Sequence, residues 1–274
     1  MKTQKIKFNL QHFAASENTP YENVVIEKKM TDLVNTKVNV NALYTIDNDL
    51  VLNAGMTKVV NKYTYTGKVE KLAKGAKNTT RGKAGFTSTE YRVERHQQVF
   101  DYNDEDIMED PYLLDTLTAG ASTLMANEIR EEYFAELAKI SNEHTTATLN
   151  YDAIVDALQI IGLEVESDLF AVMGLDGKTA IRKDPDYKSS RQGEILYTGQ
   201  FGDVSGLPCI FSKLVPAGYV YITAKDQVKL FVKKEGRVEQ ERDKETKDNS
   251  VIYDRYGVMA LVDDTKSIKI KFTE

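Results

Sequence analysis

Apolar positions change their spacing twice along this chain, and each change marks a different kind of element. Residues 1–40 show little periodicity and are polar, with Pro20 and many Asn and Thr, so they are expected to form an extended arm with little core of its own. Val38 to Leu52 alternates weakly, and Gly55 ends it. From Lys58 to Val69 (KVVNKYTYTGKV), and again from Phe86 to Val99 (FTSTEYRVERHQQV), β-branched and aromatic residues recur at every second position, as strands require. Between them Lys71 to Gly85 is rich in Gly, Lys, Thr and Asn and nearly free of large apolar side chains. The pattern predicts a protruding hairpin. Two polar strands bury too little to be stable alone, so the hairpin must lean on something else.

At Asp110-Pro111 the spacing shifts to three and four. Asp110 reads as an N-cap and Pro111 as the first helical residue, where a missing N–H costs nothing. Leu113, Leu117, Leu124, Met125, Ile129, Tyr133, Leu137 and Ile140 carry the stripe to about Ser141. A helix of about 30 residues would be a rod of roughly 45 Å. From Asn150 the elements shorten. Tyr151 to Ile161 predicts an amphipathic helix ended by Gly162, Leu169 to Met173 a buried strand, Lys178 to Lys183 a short helix, and Asp184 to Gly193 a polar loop. Ile210, Tyr219 to Ile222, Val228 to Val232, Arg237 to Arg242, Ser250 to Val262 and Ser267 to Phe272 predict strands, with turns at Leu207-Pro208 and Pro216-Ala217-Gly218. The class is α+β: a long helix between an extended front and a compact back.

Charge adds an asymmetry that the net value of −6 conceals. Residues 1–100 hold 16 Lys/Arg against 9 Asp/Glu, a balance of +7, and the remainder holds 20 against 33, a balance of −13. The extremes adjoin: ten bases lie between Lys58 and Arg95, and twelve acids between Asp101 and Glu143. Solvated faces are the simplest reading. A nucleic-acid patch on 58–95 is a second, since Tyr63, Tyr65, Phe86 and Tyr91 lie among the bases. Self-association, basic segment of one copy on acidic segment of the next, is a third. The acidic total and the lack of a recognition motif weigh against nucleic acid.

Catalytic chemistry is missing. Gly177-Lys178-Thr179 resembles the end of a phosphate loop, but Val172 stands where the first glycine should be; Gly75 to Lys83 has misplaced glycines and Ala84 for the magnesium-holding hydroxyl. Both read as turns. His12, His96 and His144 sit at no metal-ligand spacing, and the single Cys209 excludes a disulfide framework within the chain and reads as a buried, inert thiol. Asp104, Glu105, Asp106, Glu109 and Asp110 lack the glycine and alternation of a calcium loop and fit a solvated helix entrance. No uncharged window is long enough to span a bilayer, so the chain is expected to be soluble, made in a cytoplasm, non-enzymatic, and without cofactor or metal.

Other residues carry a resemblance. Lys7-Phe8-Asn9-Leu10-Gln11-His12-Phe13-Ala14 is similar to the opening of head proteins from phages of Gram-positive bacteria. Gly206-Leu207-Pro208, Val215-Pro216-Ala217-Gly218, Ala224-Lys225-Asp226 before Val228-Lys229-Leu230, Val238 to Asp243, and Tyr256-Gly257-Val258 continue it to the end. The whole chain resembles tailed-bacteriophage major capsid proteins of the Hong Kong 97-type fold. That resemblance implies an N-terminal arm (1–40), an extended loop with the first peripheral strands (41–100), a spine helix region (101–145), an A domain (146–235) and closing peripheral strands (236–274). It implies hexamers and pentamers in an icosahedral shell around double-stranded DNA, without sequence-specific DNA contact. A portal and, because the chain has no long helical prefix, a separate scaffolding protein are the implied partners, with assembly in the bacterial host cytoplasm and residence in the virion. The expected inter-subunit residues are Lys68, Lys71, Lys74, Lys77 and Arg81 on the loop, facing Asp104, Glu105, Asp106 and Glu109. Some members of the family weld subunits by a Lys–Asn isopeptide bond, which is not expected here. The rival readings are an encapsulin-like nanocompartment shell and a nucleic-acid-binding protein using 58–95.

Overall fold

A computed structural model describes residues 23–39, 43–166, 168–190 and 201–273. Two sheets share one long helix. The first sheet has four strands in the order β1-β9-β10-β4: β1 Thr45–Asp47, β4 Glu94–Asn103, β9 Val228–Arg242 and β10 Asp248–Leu261. The second has five, in the order β5-β11-β8-β6-β7: β5 Glu143–Thr146, β6 Leu169–Met173, β7 Cys209–Phe211, β8 Tyr219–Ala224 and β11 Ile268–Phe272. Helix α3, Leu113–Leu137, packs against both.

The compact end follows its sequence closely. Helix α4, Tyr151–Ile161, is capped by the Asn150 side chain, which accepts from the Ala153 N–H at 2.9 Å, and stops at Gly162 in the left-handed region (φ 67°). Every residue of β6 is buried because its sheet is covered twice. Leu169, Ala171 and Met173 face α4 and the helix α5 (Leu175–Lys183), while Phe170 and Val172 join the core around α3. Gly177, expected in a turn, lies inside α5. A Cβ there would meet Met173 and Val220 at 3.3 Å and Leu149 at 3.4 Å, so the glycine lets the helix sit close on the sheet. Part of the loop expected from Asp184 is a short helix, α6, Pro185–Ser190; the remainder, 191–193, lies outside the described residues.

The front departs more. Of the segment expected as an extended arm, 1–22 and residue 40 lie outside the described residues, but Asn23–Asn39 is a helix, α1. Ile26, Met30 and Val34, four apart, are buried against α3 and β9. This sparse stripe in a polar segment has little helical signal of its own, so packing against a preformed surface decides its structure. The long helix is also shorter than expected. It begins at Leu113, and Asp110 instead closes a separate six-residue helix, α2, Asp104–Glu109, while its carboxylate accepts from the Tyr112 N–H at 2.9 Å. Twenty-five residues give α3 a length of about 37 Å. The strand expected over Phe86 to Val99 is two: β3, Lys83–Arg92, pairs with β2, Thr57–Thr66, and after buried Val93 the chain enters the four-stranded sheet as β4.

Candidate assembly surfaces

The hairpin β2–β3 is paired through ten residue pairs, from Thr57↔Arg92 to Thr66↔Lys83. At about 3.4 Å per residue its paired part reaches roughly 34 Å. Only its root is anchored. Val60 packs with Leu50, Val93, Phe231 and Ala260, Tyr91 rests against them, and the Lys62 ammonium sits 3.0 Å from Asp264. Burial alone would raise the Asp264 carboxyl, but hydrogen bonds from Ser141 and Lys62 hold it below the ordinary aspartate range. Beyond the root Tyr63, Tyr65 and Phe86 are exposed on one face, with Tyr63 and Phe86 opposite each other and their rings 6.3 Å apart.

The sequence predicted Lys68, Lys71, Lys74, Lys77 and Arg81 as assembly residues. All five lie in the tip, 67–82, are exposed, and join none of the described ion pairs. Sequence reasoning passed over Glu70, the tip's single acid. Its carboxylate accepts from the Thr80 hydroxyl (2.6 Å) and N–H (3.1 Å) and from the Thr79 hydroxyl (2.8 Å) and N–H (3.0 Å). Those bonds, the Thr80 hydroxyl first, lower its pKa to about 2. The acid that could neutralise the tip is therefore spent on folding it, and the tip presents cations. The Glu-to-Thr-Thr spacing of nine and ten residues is visible in the sequence, but it has meaning only once the strands are in register.

The four predicted carboxylates divide. Asp104 is committed inside the chain, 2.5 Å from Arg242 and accepting from Asn249 at 2.8 Å. Asp106 accepts from the Asn103 N–H at 3.2 Å, completing a capping box with the Asn103 side chain. Glu105 and Glu109 are exposed on α2, and next to them Met108 and Tyr112 are 81% and 75% exposed. Glu105 and Glu109 thus join none of the described ion pairs and flank an apolar knob. No described ion pair joins the tip to this elbow within one chain.

Among the described residues no group of three or more His, Cys, Asp or Glu is arranged to hold a metal, and no helix is long and apolar enough to cross a membrane. His144 lies in β5, His12 lies outside the described residues, and Cys209, expected to be buried, is half-buried in β7.

A long helix between a peripheral sheet and a compact α/β end, with an outstretched hairpin, is also the architecture of solved phage shells. The capsid of cyanophage P-SCSP1u matches with a TM-score of 0.69 at 9% identity, over 85% of this chain and 87% of that one. The mature capsid of bacteriophage PhiM1 matches at 0.64 and 11% identity, over 98% and 93%. The fold is that of Hong Kong 97-type capsid proteins. The chain belongs to the phage capsid protein family, whose model matches residues 86–270. The major capsid protein of Staphylococcus phage phiMR11 is 23% identical over 263 residues, 90% of this chain and 91% of that protein.

Proposed function

We propose that this phage capsid protein is the major head subunit, forming the hexamers and pentamers of an icosahedral shell that encloses double-stranded DNA, with no enzymatic activity of its own. The observation that carries the reading is the hairpin: about 34 Å of paired strand with a core only at its root makes sense when a neighbouring copy covers the rest. Lys68, Lys71, Lys74, Lys77 and Arg81 of one copy face Glu105 and Glu109 of the next, so that encounter is steered by opposite charge. Asp104 and Asp106 shape the receiving elbow and do not themselves bind across the interface. A separate scaffolding protein and a portal complete the assembly, which takes place in the bacterial host cytoplasm. The acidic remainder of the chain repels packaged DNA from the wall without sequence-specific contact.

Light scattering on the purified chain, expressed with and without its neighbouring genes, tests this, with negative-stain microscopy beside it. Megadalton shells or regular capsomers are expected. A monomer under every condition overturns the reading and moves the hairpin to the rival role, DNA binding by single subunits that falls steeply with salt. A nanocompartment is separated from a virus by the mass of enclosed nucleic acid.

A further inference from the structure

The shell reading leaves one group of side chains unused. Glu128, Glu132 and Glu136 follow one another at four-residue intervals, hence on one stripe of α3. Strand β4 packs there with its inward face, on which His96, Phe100 and Tyr102 alternate with exposed neighbours. His96 Nε2 lies 3.3 Å from Glu132 Oε1, with the two side chains 10% and 24% exposed. Glu94 precedes His96 on the same face, and buried Arg255 stands opposite His96 in the β4–β10 ladder. Tyr44 lies within electrostatic range of Glu132, Arg130 and Arg255. Next to the pair a cleft of about 520 Å³, lined by Arg95, His96, Leu124, Asn127, Glu128 and Glu131 among others, admits water and protons.

Burial, and then the charges of Glu94, Glu128 and Glu136, raise Glu132 to about 7. Burial also holds His96 below its ordinary value, against the opposite pull of Glu128 and Glu94. Near neutrality Glu132 is therefore close to half protonated, while His96 is uncharged.

We propose that the joint between α3 and β4 is a proton-operated latch, in which one proton taken up by Glu132 fastens the long helix to the four-stranded sheet. In the protonated state the Glu132 hydroxyl donates to the neutral Nε2 of His96. Ionised, Glu132 is a fourth like charge beside Glu94, Glu128 and Glu136, and the joint loosens. This goes beyond the shell reading and holds for a single subunit.

The sign follows from proton linkage. A carboxyl whose folded pKa is raised from 4.5 to about 7 gives stability that is complete below 4.5 and is lost as pH rises through 7. His96, held low, works the other way below 6.5, so the window between 6.5 and 8 reports Glu132. Chemical denaturation of the full chain across that window is the test, on the native sequence, Glu132→Gln and Glu128→Gln. The native chain is expected to lose stability from pH 6.5 to 8, with a slope below one proton that is steepest at pH 6.5 and fades toward zero by pH 8, and Glu132→Gln to lose that slope. Glu128→Gln, which removes a repelling neighbour, is expected to keep the slope and move its midpoint down. Equal slopes in the native chain and Glu132→Gln overturn the latch, as does an unmoved midpoint in Glu128→Gln. If Glu132→Gln does not fold, the midpoint comparison decides alone. Capsid assembly enters none of these readouts, so the latch and the shell reading can fail separately.

Discussion

Strands β6 and β3 belong to one chain and obey opposite rules. All five residues of β6 are buried, while nine of the ten residues of β3 are exposed. β6 is paired on both edges, by β7 and β8, whereas β3 is paired on one, by β2. Backbone pairing and side-chain cover therefore both distinguish them, and cover does so at nearly every residue. The sheet containing β6 draws its stability from apolar burial within the subunit. The outer hairpin has no such source, so its order depends on what lies against it, which in the proposed shell is a neighbouring copy.

The sharpest break in this comparison comes from truncating apolar side chains in each region. Ile222→Ala, at a fully buried position of β8, should cost the subunit about 2–5 kcal/mol by denaturant unfolding. Tyr63→Ser and Phe86→Ser together should move it by about 0.5 kcal/mol or less. A comparable loss from the hairpin pair would mean that its outer half is held by the subunit after all.

The same contrast explains what could be read from sequence. Helix α4 and strand β6 were legible to the residue, because cap, stop and apolar period agree: Asn150, Gly162, and the unbroken run Leu169 to Met173. Where tertiary contact decides, local pattern misleads. Helix α1 rests on three buried side chains four apart, and Asp110 looked like the cap of α3 because Asp-Pro is a strong start signal whatever it closes. The candidate assembly surfaces were half legible. Charge placed the tip lysines and the acidic elbow, but only coordinates divide the carboxylates, since Arg242 and Asn249 reach Asp104 from 138 and 145 residues away.

That division predicts the next largest effect. Asp104→Ala strips a carboxylate from Arg242 and Asn249, both largely shielded from solvent, and should cost about 1–3 kcal/mol of subunit stability. Glu105→Ala, one residue on and exposed, should stay within about 0.5 kcal/mol and show itself in assembly instead. Urea midpoints beside particle yield separate the two; equal stability losses would return Glu105 to an internal role.

Reversing the tip carries the comparison to its far end. Lys71, Lys74 and Lys77 replaced together by Glu should leave unfolding within about 0.5 kcal/mol of the native chain, because all three are exposed. Sedimentation should show particles reduced or absent at low salt. The difference should narrow toward 1 M salt, where the screening length falls to about 3 Å. Normal particles at low salt would remove the electrostatic part of the assembly account while leaving the aromatic face of the hairpin in place.

The smallest effect belongs to Glu70, and it separates order of the tip from stability of the subunit. Four hydrogen bonds from Thr79 and Thr80 hold its carboxylate, yet the residue is only half-buried. Its folded pKa is depressed from 4.5 to about 2, so its contribution is complete above 4.5 and is lost as pH falls through 2. Glu70→Gln keeps the shape and weakens charge-assisted acceptance. Hydrogen exchange at the Thr79 and Thr80 amides should rise in that variant at pH 5, with the denaturation midpoint unchanged. In the native chain the same amides should stay protected down to pH 3. If the variant's amides exchange no faster, Glu70 does not organise the tip, and the presentation of Lys68, Lys71, Lys74, Lys77 and Arg81 must come from the neighbouring subunit instead.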